Sequence, residues 1–256
     1  MAGTRWFFSL ATGLAALWSL GSPAHANPND FEESFDSLFG TEMRSPPTFE
    51  AIYATSFEEQ LASLADGAKG RIGVYAIDLA TGEEITVLGD MRFPMASTSK
   101  VAVAATFLAG VDQGKYSLTS EYPLVVRVRS KRFSDQPASK TSKKFVAAHE
   151  LISLMISKSC NSCTDALLKV VGGPVAVNRW MRDVAKIEEF ELSRDIATLV
   201  RDDGEFDPVE WIDPRDSATP RAMGKLLAGI YQGEWLSPGS RRLLMAAMEE
   251  TSTGRR

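Results

Sequence analysis

The chain has 256 residues, with 28 Lys and Arg against 33 Asp and Glu, a net charge of −5. That balance provides no basic groove for nucleic acid and no attraction to an anionic membrane surface. With two histidines and two cysteines the usual metal ligands are scarce, and a serine-histidine-aspartate triad would have to use His149, because His25 falls in the leader described next.

Arg5, the apolar run Trp6 to Leu20 and Pro23-Ala24-His25-Ala26 read as a secretory signal cleaved after Ala26, which directs the chain to the periplasm or outside the cell. The run is short for a membrane span and no second one follows, so no integral span is expected. Residues 27–48 read as a flexible acidic leader, and 49–256 as one sizeable domain or two closely packed lobes. There the pattern predicts a helix over about Phe57 to Leu64, ending at Asp66-Gly67. Two strands follow, Arg71 to Asp78 and Glu84 to Leu88, joined as an antiparallel hairpin through Ala80-Thr81-Gly82. Beyond Met91 the periods are helical or loop-like, so no further strand is expected, and the basic stretch Arg127 to Lys144 reads as a solvated surface insertion. Two strands alone make a poor sheet for a domain of this size.

Chemistry enters at Phe93-Pro94-Met95-Ala96-Ser97-Thr98-Ser99-Lys100, where a serine and a lysine sit three residues apart at the start of an apolar helix. That spacing puts both on one helical face. A serine hydroxyl needs a neighbouring base, and a lysine in a dry pocket is neutral enough to act as one, so Ser97 is the candidate nucleophile and Lys100 its base. The same residues also fit a helix cap and a solvated lysine. Further on, Leu151 to Lys158 reads as a buried helix running into Ser159-Cys160-Asn161. A serine there can relay a proton to a leaving nitrogen and an asparagine can bond a substrate amide, although both are ordinary turn residues. Cys160 and Cys163 stand at a spacing that suits a local disulfide stiffening this turn; the rival is a thioredoxin-like redox pair, which needs a strand just upstream.

Residues 93–108 resemble, almost residue for residue, the nucleophile helix of the class A serine β-lactamases and their penicillin-binding relatives. The resemblance implies an α+β fold of α/β-α type, a helical lobe packed on an antiparallel sheet. It also implies acylation of Ser97 by a β-lactam, with Lys100 as base, Ser159 passing a proton to the ring nitrogen and Asn161 orienting the side-chain amide; no cofactor or metal is called for. The family's Ser-x-Asn motif falls on Ser159 and Asn161, with Cys160 where an aspartate is usual, followed by a helix such as Thr164 to Val171 and by Gly172-Gly173-Pro174. Lys158 is an unfamiliar neighbour, whose charge is expected to help keep Lys100 deprotonated. Leu192-Ser193-Arg194 and Asp213 to Met223 resemble the two ends of the family's omega loop, which implies an ion pair between Arg194 and Asp216 across its neck.

The departures from the family pattern are equally specific. The omega-loop glutamate that activates the deacylating water is replaced by Ile196, with Asp195 one residue away; Val200 replaces an expected asparagine, and Asp202-Asp203-Gly204-Glu205 sits in a longer loop as another source of carboxylates. No Lys-Thr-Gly motif follows: Lys140-Thr141-Ser142 precedes Ser159, and Ser252-Thr253-Gly254 lacks the lysine. The resemblance, which spans Phe49 to Gly254, therefore predicts an incomplete sheet, with three strands and a closing helix missing after a helix over Ser237 to Glu250, and a chain poorly stable by itself. Three functional readings follow. The first is a serine hydrolase that opens β-lactams and confers antibiotic resistance. The second is a penicillin-binding or peptidoglycan-processing relative that acylates without efficient deacylation. The third is a non-catalytic truncated scaffold. The partner in the first two is a small β-lactam or peptidoglycan-like molecule, and nothing in the pattern sets an oligomeric state.

Overall fold

The computed structural model describes residues 55–66, 71–204 and 213–252; the expected signal at 1–26, the leader at 27–48, Glu205 and Gly254 lie outside the described residues. The first helix, α1 (Ser56–Asp66), starts with a capping box. Thr55 Oγ1 accepts the Glu58 N–H at 3.1 Å, and Glu58 Oε2 accepts the Thr55 N–H at 3.1 Å. Glu58 is buried, and its other oxygen takes the Thr86 N–H at 2.8 Å, so one carboxylate both caps α1 and fastens it to the hairpin. That hairpin is β1 (Val74–Ile77) and β2 (Glu84–Val87), antiparallel from Val74↔Val87 to Ile77↔Glu84.

Two-residue strands set the entry to the site. β3 (Phe93–Pro94) pairs with β7 (Ser217–Ala218), which pairs on its other side with β6 (Phe190–Glu191). From β3 the chain passes through a 3-10 turn, Ala96–Thr98, into α2 (Ser99–Asp112). Ten of the fourteen residues of α2 are buried, so it has no solvated face and runs through the core of the helical lobe. Around it stand α3 (Ala148–Ser157), α4 (Asn161–Val171), α5 (Pro174–Asp183) and α8 (Pro238–Glu249). A seven-residue helix, α6 (Ile196–Asp202), packs on α4, and α7 (Pro220–Gln232) covers β1. The fold is thus α+β, a helical lobe with small antiparallel sheets, as the resemblance implied.

The expectation of no strand after Met91 is overturned. β4 (Glu121–Arg127) and β5 (Ser139–Ala147) form a second hairpin, paired from Glu121↔Ala147 to Arg127↔Ser139 with a register shift between Pro123 and Val125. The stretch Arg127 to Lys144 is therefore in part a strand. Its solvation was read correctly, since Lys140, Lys143 and Lys144 are all exposed and only Val125 and Val146 of the pair are buried hydrophobics. A proline inside one strand and a partner that is polar over its first six residues hide the alternation that marks a half-buried pair.

Gly110, one turn from the end of α2, lets a Tyr116 ring lie against the helix backbone. A Cβ there would stand 2.3 Å from that ring, which is itself stacked on Phe107 with centroids 5.0 Å apart. Gly110→Ala is expected to cost about 1–3 kcal/mol through overpacking, measured as a lowered midpoint in urea unfolding.

Candidate active site

The turn carrying Ser97 is fixed by backbone contacts before any catalytic contact is made. Met95 N–H donates to the Asp216 carbonyl at 2.9 Å, extending the β3–β7 pairing, and Met95 is buried. Thr98 Oγ1 donates to the Met95 carbonyl at 2.6 Å and Ser99 Oγ to the Ala96 carbonyl at 2.8 Å. Two of the three hydroxyls in the turn are thus spent on the backbone, and Ser97 alone projects outward. Its Oγ lies 2.8 Å from Ser159 Oγ. Ala96 (φ 45°) and Ser159 (φ 54°) both hold left-handed backbone. Such conformations cost roughly 1–3 kcal/mol each in residues with a Cβ and persist where surrounding contacts over-determine them. Here they adjoin or carry the two hydroxyls.

Lys100 is 2% exposed. Its Nζ donates to the Ser159 carbonyl at 2.8 Å, Ser159 Oγ at 2.7 Å and Asn161 Oδ1 at 2.7 Å, three acceptors for the three protons of an ammonium. Among the described residues no hydrogen bond joins Lys100 to Ser97; the two connect through Ser159 Oγ. Burial lowers the Lys100 amine from 10.5 to about 8, opposed by the charge of Asp165. A neutral Lys100 has one proton fewer and a lone pair, so its contact with Ser159 reverses, the hydroxyl then donating to the amine.

Ser159, Cys160 and Asn161 lead into α4. Cys160 is the N-cap, its Sγ accepting the Cys163 N–H at 3.2 Å, and a disulfide joins the two cysteines across a Cα–Cα separation of 5.3 Å. Cys163 is fully buried, and the element upstream is the helix α3, where a thioredoxin-like pair needs a strand. Lys158 is engaged away from the Lys100 acceptors. Its ammonium donates to Ser252 Oγ at 2.8 Å, just beyond α8, and the depressed Lys100 value arises from burial, opposed by Asp165.

Arg194 and Asp216 meet across the neck of the intervening loop. Arg194 Nε donates to Asp216 Oδ2 at 2.6 Å, with the two side chains 16% and 4% exposed. Asp216 Oδ1 takes the Ser193 and Arg194 N–H groups at 2.8 and 3.1 Å, and Arg194 also reaches Asp213 at 3.5 Å. A partly buried pair with backbone donors on the second oxygen holds its geometry in a way that an exposed pair does not. Within the loop Ile196 is buried, Val200 faces solvent, and Asp195 caps α6 through Thr198 N–H at 2.7 Å. Asp202 is bound by Arg201 and by the Phe133 N–H of the β4–β5 turn at 3.0 Å.

One residue was missed. Asp165, a helical turn after Asn161 on α4, is 4% exposed, and its two oxygens accept the Ile196 and Ala197 N–H groups at 2.7 and 3.0 Å. Burial raises its carboxyl from 3.8 to about 6 in spite of those bonds and of Lys100. The available signal is the lone acid of α4, four residues after a candidate site residue.

Comparison with known proteins follows the same lines. A family model described as the β-lactamase enzyme family matches residues 56–256. The chain is 31% identical over 217 residues to β-lactamase L2 of Stenotrophomonas maltophilia, covering 84% of this chain and 67% of that protein. Among solved structures, an ancestral class A β-lactamase from the last common ancestor of Gram-negative bacteria aligns with a TM-score of 0.64 at 33% identity, covering 78% of this chain and 73% of the other. A β-lactamase from Xanthomonas campestris pv. campestris aligns with a TM-score of 0.63 at 27% identity, covering 80% and 73%.

The depressed Lys100 value has a thermodynamic signature. Between about 8 and 10.5 the folded chain has released this proton and the unfolded chain still holds it, so stability gains from raising the pH, by up to about 1.4 kcal/mol per unit. Comparing urea unfolding of the wild type with Lys100→Met at pH 7.5, 8.5 and 9.5 is expected to show the wild type gaining on the variant at each step.

Proposed function

We propose that this chain, which belongs to the class A serine β-lactamase family, is a serine hydrolase acylated by β-lactams at Ser97 with opening of the strained amide. The observation carrying this reading is the unbroken line from Ser97 Oγ through Ser159 Oγ to a buried Lys100 Nζ, at 2.8 and 2.7 Å. With Lys100 neutral, Ser97 Oγ attacks the β-lactam carbonyl. Its proton moves to Ser159 Oγ as the Ser159 proton moves to Lys100, and the Ser97 N–H donates to the developing oxyanion. When the carbon–nitrogen bond breaks, the same line runs backward and Ser159 hands a proton to the departing ring nitrogen. Asn161 spends its carbonyl oxygen on Lys100, leaving its Nδ2 to donate to the substrate's side-chain amide.

A second reading is favoured by the loop: a relative of peptidoglycan-processing type that acylates and deacylates slowly. The position expected to carry a water-activating glutamate holds buried Ile196. The carboxylates described nearby are all engaged, Asp165 with two amides, Asp195 with Thr198 N–H, and Asp202 with Arg201 and Phe133 N–H. A periplasmic or secreted location, after cleavage near Ala26, belongs to the same proposal; a disulfide beside the site suits an oxidising compartment.

Incubation with a fluorescent penicillin and a chromogenic cephalosporin tests both readings. Labelling with turnover supports hydrolysis, a lasting adduct without turnover supports slow deacylation, and no labelling rejects both. Ser97→Ala is expected to abolish labelling, and Ser159→Ala to slow it about 10²- to 10⁴-fold, the range for loss of a proton-transfer group.

A further inference from the structure

Asp165 joins two parts of the site that the line of hydroxyls leaves separate. It shares a face of α4 with Asn161, the acceptor for Lys100. Its oxygens take the first two amides of α6, and Asp195 takes the third, so the amides opening this short helix are satisfied by two acids from different elements. Each oxygen of the carboxylate takes one N–H group, whereas an asparagine in the same pose would turn its NH2 donor toward one of them. The charge that results is buried. Lys100 of α2 is the single buried cation among the described residues, and each of the two groups acts on the proton affinity of the other. The remaining charges facing Asp165 are Asp195, ahead of α6, and, across a cavity of about 370 Å³, Lys140 of β5 and Lys169 in the last turn of α4. Both lysines are exposed, and Lys169 donates to Thr141 Oγ1 at 3.1 Å. Solvent screens them far more than it screens Lys100.

We propose that Asp165 is a positioning residue for the reaction: its carboxylate ties α6 to α4 and, by its charge, sets the pH at which Lys100 releases its proton. The position of the loop helix and the strength of the base are then one variable. Displacement of Ile196 and Ala197 from Asp165 removes two donors that hold its carboxyl down, so the acid keeps its proton to higher pH and its hold on the Lys100 proton weakens with it. This inference rests on Lys100 being the base for acylation, as proposed above.

The test has one arm that needs no activity. In wild-type protein with ¹³C-labelled aspartate carboxyls, the Asp165 resonance is expected to show a second inflection as Lys100 titrates, and Lys100→Met is expected to remove it. In the other arm, the rate of acylation by a fluorescent penicillin is followed against pH for wild type and Asp165→Asn. Because the neutral amine is the active form, the rate climbs through the Lys100 titration. Removing the negative charge is expected to move the midpoint down by about one unit, the lower end of the shift caused by a close opposite charge. A role confined to holding α6 would lower the rate and leave the midpoint in place. An unmoved or raised midpoint overturns the proposal, as does a carboxyl resonance indifferent to Lys100→Met. Failure of the wild type to acylate rejects the reading of the preceding subsection, and the carboxyl titration then decides this one.

Discussion

Everything distinctive about this site follows from burying an amine. An ammonium placed in an apolar lobe without partners is prohibitively costly, so the chain must bring it acceptors. It does so from one short turn, which supplies a carbonyl, a hydroxyl and an amide oxygen to Lys100. The same burial that demands these partners lowers the proton affinity of the amine toward neutral pH, converting a structural burden into a usable base. Ser159 is the hinge of the arrangement, since its backbone and side chain both serve Lys100 while its hydroxyl also meets Ser97.

Holding that turn in place is the task of the surrounding fold. The left-handed residues Ala96 and Ser159 adjoin and carry the two hydroxyls that meet, and each is over-determined by its neighbours. Ala96 lies between the β3–β7 pairing and the hydroxyl bonds of Thr98 and Ser99. Ser159 lies between the end of α3 and the sulfur-capped start of α4. Short strands that contribute little to stability are therefore important for geometry, because they orient the nucleophile's turn relative to Asp216 and the neck of the loop.

Legibility in the sequence tracked the distance over which residues cooperate. Ser97 and Lys100 lie one turn apart, and Ser159 and Asn161 two residues apart, so local spacing makes both pairs candidates, and the family resemblance decides against their ordinary roles as cap and turn residues. The ion pair between Arg194 and Asp216 spans 22 residues and came only through family resemblance. Asp165 could not be read in this way, because its meaning depends on amides about thirty residues later and on a lysine two helices earlier. The β4–β5 hairpin failed for a different reason. Lysines at three of the nine positions of β5 and a proline in β4 erase the period-two signal, and the strand survives through pairing and two inward valines. Lys158 shows a related limit: adjacency to Ser159 in sequence does not reveal that the helix end directs its side chain to Ser252.

The Cys160–Cys163 bridge encloses a single helical turn, and the entropy removed from the unfolded chain by so small a ring is worth only roughly 2 kcal/mol. Its cleavage would therefore leave the topology standing and act on the mouth of the cleft alone, by withdrawing the covalent brace around Asn161. Reductants and the compartment of synthesis thus bear on how sharply this protein aims its amide at a ligand, far more than on whether the polypeptide folds.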